Sequence, residues 1–238
     1  MIVLGLDTAT RATAVAVLDS ETGAMHERRD DPPAEERPRH TTRLLPLARQ
    51  VLADAGTDWS GVELIAVGTG PGTFTGIRIG VATARALASA RRAPIAGVST
   101  LQALASAAVG AERDGELLLA VLDARRREVF VAGWDPVEAG RADAEPVLAP
   151  RTLAPHLLAD ALAGSGERWL AVGDGALAYR AEVEGAGARV PAEDSPLHRV
   201  SAGEICRLAR TARAGTPGEV RPDYLREPDA KLRQAGRA

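Results

Sequence analysis

The hydrophobic pattern begins at the first residues. Residues 2–7 (IVLGLD) and 13–19 (TAVAVLD) are short apolar runs joined by a polar turn, the pattern of a hairpin of largely buried strands. A third strand is predicted over 24–29, after the turn at Thr22-Gly23. The charged, proline-rich stretch 29–40 (RDDPPAEERPRH) reads as a surface loop. Residues 41–56 (TTRLLPLARQVLADAG) then carry helical spacing, with Thr41 or Thr42 as a cap, Pro46 in the early turns and Gly56 as the stop. ELIAVG (63–68) and PIAGVS (94–99) read as buried strands on either side of a second helix. Thr100 opens a short third helix, LQALASAA.

Residues 110–116 (GAERDGE) break the pattern, and the plan then repeats. LGLDTATRATAVAV (4–17) and LAVLDARRREVFVAG (119–133) share one layout: apolar strand, Asp, polar turn, strand. AVGTG (66–70) is echoed by AVGDG (171–175), and the helix before each is echoed as well. Such order predicts two related α/β units, placed at 1–109 and 110–238. The tail, RPDYLREPDAKLRQAGRA, is polar and expected to be partly extended over the surface.

Composition narrows the function classes. The chain has 238 residues, 45% of them apolar, a formal net charge of -3 and a single cysteine. No broad basic field invites nucleic acid, and few aromatic residues are available to stack single-stranded bases. One cysteine excludes an internal disulfide and suits a reducing compartment, and Cys206, in a helix-like run, reads as a small buried hydrophobe. No stretch reaches the length of a membrane span, and MIVLGLDTAT reads as a strand rather than a signal peptide. His26, His40, His156 and His198 show no metal-pair spacing, and no nucleophile elbow occurs.

Two patterns carry candidate chemistry. In a two-lobed α/β chain, strand–Asp–turn–strand units can present phosphate turns. Asp7, Thr8 and Thr10 would form the first, Asp123 and Arg125 the second. Neither turn contains the glycine that exposes backbone N–H groups, and Arg125–Arg127 reads more simply as a solvated edge. The second pattern is GTGPGTFTGIRIG (68–80), which lacks P-loop spacing and a Lys-Ser/Thr pair. Gly72, Gly76 and Gly80 stand four apart, continued by Ala84 and Ala88, so they share one helix face, with Thr73 or Thr75 as cap. Glycine inside a helix costs about 1 kcal/mol against alanine, which argues for a close backbone neighbour. That neighbour is either the chain's own sheet or a helix of another subunit.

LGLDTATRATAVAV, RHTTRLLPL, AVGTGPGTFTGIRIGVATARALA, PIAGVSTLQALA and LDARRREVFVA together resemble the TsaB (YeaZ) family, densely over about the first 135 residues and again at RPDYLRE. The resemblance implies an actin-like (ASKHA, ribonuclease H-like) fold of two related subdomains, each a mixed sheet flanked by helices. It implies a cytoplasmic, non-catalytic subunit of tRNA threonylcarbamoyladenosine synthesis. That subunit pairs with a catalytic TsaD-like paralogue and a TsaE-like ATPase, or with a second copy of itself, and meets tRNA only indirectly. No nucleotide or metal is then expected on this chain alone. ATP or ADP and metal belong to the partners, and His40 with Leu44 is a remnant of the paralogue's histidine pair. The implied partner face comprises His40, Leu44 and Leu45 of one helix with Thr73, Phe74, Thr75, Gly76, Ile77, Arg78, Gly80, Val81, Ala82 and Arg85 of the next. On this reading the glycines accommodate the partner. The competing expectation is an actin-fold ATP-dependent transferase with its own nucleotide site at Asp7 and Asp123.

Overall fold

The computed structural model describes residues 1–163 and 166–226; most of the polar tail lies outside the described residues. The first unit runs β1 (Ile2–Asp7), β2 (Thr13–Asp19), β3 (Met25–Asp30), α1 (His40–Asp54), β4 (Val62–Gly70), α2 (Phe74–Arg91), β5 (Ile95–Ser99) and α3 (Thr100–Ser106). The second runs β6 (Glu116–Arg125), β7 (Glu128–Trp134), α4 (Pro136–Ala139), β8 (Leu148–Leu153), α5 (Leu158–Leu162), β9 (Arg168–Val172), α6 (Asp174–Ala178), α7 (Arg180–Gly185), β10 (Ala188–Arg189) and α8 (Ala202–Ala209).

The sequence echo is a structural repeat. One sheet has the order β3-β2-β1-β4-β5, and the other has β8-β7-β6-β9-β10. In each, the first three strands are antiparallel and the last two join parallel to the central strand. Helices cover both faces of each sheet, which is why β1 and β2 read as near-continuous apolar runs rather than alternating ones. This is the two-sheet, actin-like architecture expected from the chain. The charged β3 (MHERRD) is an edge strand, where charge discourages pairing with other chains.

The two units exchange helices. α1 and α2 cover the outer face of the first sheet, with Leu44, Leu47, Val51, Ile77 and Val81 in that core. Its inner face is covered by α8, from the far end of the chain, through Ala202, Ile205, Cys206 and Leu208. Conversely, α3 leaves the first sheet and buries Leu101, Leu104 and Ala105 against β6 and β7. Each sheet's inner core is thus completed by a helix encoded after the other sheet's strands. The expected boundary at 109/110 falls in the turn segment between α3 and β6.

Helix starts differ slightly from expectation. α1 begins at His40 and not at Thr41, and neither Thr41 nor Thr42 caps it: Arg39 holds the cap position, and the Thr42 hydroxyl donates back to the Arg39 carbonyl at 3.1 Å. Thr73 does occupy the cap position of α2, yet its side chain makes no capping bond.

Candidate functional site

The glycine block connects β4 to α2, and its glycines face the turn between β1 and β2. A Cβ on Gly72 would lie 2.3 Å from the Ala9 carbonyl oxygen, one on Gly76 would lie 2.0 Å from the Thr8 carbonyl oxygen, and one on Gly80 would lie 2.4 Å from Thr8 Oγ1. Two hydrogen bonds lock this contact: Thr8 Oγ1 donates to the Gly76 carbonyl at 2.7 Å, and the Thr73 N–H donates to the Ala9 carbonyl at 2.7 Å. The close neighbour is therefore the chain's own Thr8–Ala9 backbone. This corrects the expectation that the glycines accommodate another subunit.

Asp7 lies beneath this contact. It is 1% exposed, accepts the Ala9 N–H at 3.0 Å and the Thr100 hydroxyl at 3.4 Å, and fills the space that a Cβ on Gly68 would need. Burial pushes its carboxyl up to about 6, against the opposing pull of the Ala9 N–H and Thr100. Thr8 is buried too, and Thr10 Oγ1 accepts the Ala12 N–H at 3.3 Å.

The second turn is also closed on itself. Asp123 accepts the Arg125 N–H at 2.8 Å and the Arg125 guanidinium at 2.9 Å. The Asp123 N–H is taken by Asp174 Oδ1 at 3.0 Å. Asp174 is half-buried, and desolvation raises its carboxyl. Arg125, Arg126 and Arg127 all sit in the left-handed region, with φ of 64°, 56° and 60°, and their side chains are exposed. The central pair has the signs that a tight two-residue hairpin demands and that Asn-Gly usually supplies.

A nucleotide phosphate would need free N–H donors at these turns. Those of Ala9, Asp123 and Arg125 are already satisfied internally, and α2 lies against the first turn. These three donors are not available to a phosphate.

Between the start of α2, the second turn and the C-terminal segment lies a cleft. A cavity of about 470 Å³ is walled by Phe74 from α2, Phe130 from β7, Asp123 and Arg125 from the second turn, and Tyr224 from the chain's C-terminal segment. That segment straps the two units together. Gly215 bridges to Ile95 of β5, and the Asp223 N–H donates to the Thr69 carbonyl at 2.7 Å. Beyond it, Leu225 packs against the second unit's inner core, and Arg226 binds the Ala124 carbonyl and Glu128, each at 3.0 Å. Tyr224 and Phe74 meet with ring centroids 5.1 Å apart, and the Arg78 guanidinium lies 5.0 Å over the Phe74 ring.

The expected partner face divides by burial. His40, Leu44, Gly76, Ile77, Gly80 and Val81 are buried within the chain, and His40 pairs with the Thr13 hydroxyl at 2.9 Å. Leu45, Phe74, Thr75, Arg78, Ala82 and Arg85 are exposed, and Thr73 is half-buried. The sequence reading missed Asp174, Phe130, Tyr224 and Arg226. Asp174 stands where AVGDG departs from AVGTG, and Tyr224 and Arg226 lie inside RPDYLRE, so the signals were there.

Among the described residues no group of His, Cys, Asp and Glu could hold a metal, and no helix is long and apolar enough to cross a membrane. Cys206 is fully buried, and burial raises its thiol far above the reactive range.

Comparison with known proteins places this geometry. The family model described as TsaD, tRNA N6-adenosine threonylcarbamoyltransferase, matches residues 32–160. The Escherichia coli K12 protein named tRNA threonylcarbamoyladenosine biosynthesis protein TsaB is 36% identical over 179 residues, 74% of this chain and 72% of that one. An uncharacterised Mycobacterium tuberculosis protein is 33% identical across 96% of this chain and 93% of its own length. The solved structure of YeaZ from Pseudomonas aeruginosa superposes with a TM-score of 0.73 at 28% identity, covering 94% of this chain and all of that one (100%). A second Pseudomonas aeruginosa structure, described by similarity to peptidase YeaZ, gives 0.74 at 29%, covering 94% and 99%. With its paired sheets, its self-closed turns and these relatives, the chain belongs to the TsaB (YeaZ) branch of the TsaD-type family.

Proposed function

We propose that this chain is a non-catalytic subunit in the synthesis of threonylcarbamoyladenosine in tRNA. It pairs with a TsaD-like catalytic paralogue and a TsaE-like ATPase in the cytoplasm. The assembly modifies adenosine 37 of tRNAs that read codons starting with A. ATP or ADP and metal sit on the partners, and tRNA reaches this chain only through the complex. The outward sides of α1 and α2 form the pairing face.

One observation supports the non-catalytic role above the others: the N–H groups of Ala9, Asp123 and Arg125 in the two turns are held by the chain's own Asp7, Asp174 and Asp123. A transferase working from Asp7 would need that carboxylate open to the cleft, and it is enclosed beneath Gly68. Thiol-peptidase chemistry is opposed at Cys206, which is fully buried.

The test is reconstitution with the TsaD-like protein, the TsaE-like ATPase and the threonylcarbamoyl-adenylate synthase of the same organism. Modification of tRNA should fail when this chain is left out and return when it is added. Calorimetric titration with ATP and magnesium should give no heat with this chain alone and binding once the TsaD-like protein is present. Undiminished modification without the chain would sink the reading. So would micromolar ATP binding by the chain alone.

A further inference from the structure

Charge is distributed unevenly along the chain. Residues 207–238 hold eight Arg and Lys against four Asp and Glu, a net of +4, although the whole chain stands at -3. Three of these cations, Lys231, Arg233 and Arg237, lie outside the described residues. Arg207 and Arg226 pair with Glu204 and Glu128. Arg210, Arg213 and Arg221 are exposed, and none makes a hydrogen bond or salt bridge with another described residue. Arg213 and Arg221 line one open groove of about 330 Å³, together with Thr69 and the exposed Gly97 of the β5 edge. Arg210 closes α8 three residues before Arg213, a span of at most about 10 Å. The acids beside them are engaged. Glu219, in the groove, accepts the Thr216 N–H at 2.6 Å and the Thr216 hydroxyl at 2.9 Å, and Arg213 acts on it through space. The Ala142 N–H donates to Thr211, and Asp143 beside it is held by Arg141. A helix C-terminus attracts cations, which accounts for Arg207 and Arg210. It does not account for Arg213 and Arg221, which lie beyond the helix.

Resting on the tRNA-modifying role proposed above, we infer that Arg210, Arg213 and Arg221 hold the phosphate backbone of tRNA within the assembled complex. α8 covers the face of the first sheet opposite α1 and α2, so these arginines lie away from the proposed pairing face. Phosphates are held by arginine side chains, hydroxyls and backbone N–H groups, and the groove presents arginine, threonine and glycine. A protein interface has an apolar, often aromatic centre. Here the one apolar side chain is the half-buried Val220, and no exposed large hydrophobic residue lines the groove. With no aromatic ring to stack a base, the contact reads backbone charge and not base sequence.

The test is tRNA binding by this chain mixed with the TsaD-like protein of the same organism, followed by fluorescence anisotropy across a range of salt. Three phosphate contacts give a salt slope of about 2–3 on logarithmic axes, or about a twentyfold to fortyfold loss of affinity between 50 and 200 mM salt. The triple variant Arg210→Gln, Arg213→Gln, Arg221→Gln should bind more weakly at 50 mM and lose that much of the slope. A control triple, Arg37→Gln, Arg113→Gln, Arg151→Gln, removes the same charge from exposed arginines elsewhere and should match the parent. Equal affinity and slope for the parent and the first triple would overturn the inference, as would an equal loss in the control. If the triple Arg210→Glu, Arg213→Glu, Arg221→Glu abolished association with the TsaD-like or TsaE-like protein and left tRNA binding intact, the groove would be a protein surface, which also overturns it. Failure of the parent chain to join the TsaD-like protein would instead sink the functional reading. Titration of tRNA with this chain alone at low salt, parent against the first triple, would then decide the role of the arginines.

Discussion

Gly76→Ala sets two effects against each other. In an exposed helix the change should stabilise by about 1 kcal/mol, because alanine is the better helix former. Here the new Cβ would lie 2.0 Å from the Thr8 carbonyl oxygen, so helix and turn must separate by about 1.4 Å to reach an ordinary 3.4 Å contact. The turn has little freedom to retreat. Thr8 Oγ1 is bonded to the Gly76 carbonyl, Thr73 N–H to the Ala9 carbonyl, and Ala9 N–H to the buried Asp7. Losing the two bonds that cross between helix and turn costs about 1 kcal/mol each, and strain from overpacking adds about 1–3 kcal/mol. The net expectation is a loss of about 2–4 kcal/mol after the propensity gain is subtracted. Gly185, at the end of α7, is the internal control: nothing lies within 4 Å of its Cβ position, and its φ is ordinary. Gly185→Ala should therefore be neutral or stabilising by up to about 1 kcal/mol. Urea unfolding of both variants measures the difference. At Gly80 the obstacle is a side-chain oxygen, Thr8 Oγ1, so Thr8→Ala should relieve Gly80→Ala but not Gly76→Ala, whose obstacle is backbone. If Gly76→Ala unfolded at the same urea concentration as the parent, or at a higher one, the close-contact account of the glycine row would be wrong.

How much of this was legible follows from which signals are local. The hairpin β1–β2 could be read because strands buried on both faces leave uninterrupted apolar runs, and the repeat could be read because AVGTG and AVGDG occupy matching turns. The spacing of Gly72, Gly76 and Gly80 did announce a close neighbour. It did not say whose backbone that was, since a helix face carries no record of what lies opposite. Burial of His40 and Leu44 against β2 was hidden for the same reason: helical period gives an apolar side, and the residues flanking it belong to core or surface according to the packing. The exchange of α3 and α8 between sheets is a long-range choice with no local signature. Asp174 could have been found by asking why an acid replaces Thr69 in an otherwise repeated turn. The strap needed coordinates, because RPDYLRE is merely polar until Tyr224 meets Phe74.

Three further substitutions test the electrostatics and the backbone. Arg127→Gly removes a left-handed arginine at φ 60° and should stabilise the β6–β7 turn by about 0.5–1 kcal/mol, read as a rise in urea midpoint; a fall would contradict the turn geometry. Glu116, 6% exposed, accepts two bonds from Arg189, at 2.9 and 2.6 Å, and this pairing holds its carboxyl down at about 2. The stabilisation is present above the usual 4.5 and is lost as pH falls toward 2, so Arg189→Met should cost about 2–3 kcal/mol at pH 7 and much less at pH 3; equal losses at both would refute it. Asp7 has the opposite sign. Its folded carboxyl titrates at about 6 against the usual 3.8, so the folded chain binds the proton more tightly than the unfolded chain does. The penalty for burying the charge is absent below about 4, grows through the interval, and is complete above about 6, reaching about 3 kcal/mol for a shift of about two units. Asn at position 7 can still accept the Ala9 N–H and meet the Thr100 hydroxyl, and it has no charge to bury. The stability of Asp7→Asn relative to the parent should therefore improve by about 3 kcal/mol between pH 4 and pH 8, whatever its value at pH 4. A flat difference across that range would mean that Asp7 titrates normally and is not enclosed. The self-closed first turn, and with it the case against a phosphate site, would then have to be abandoned.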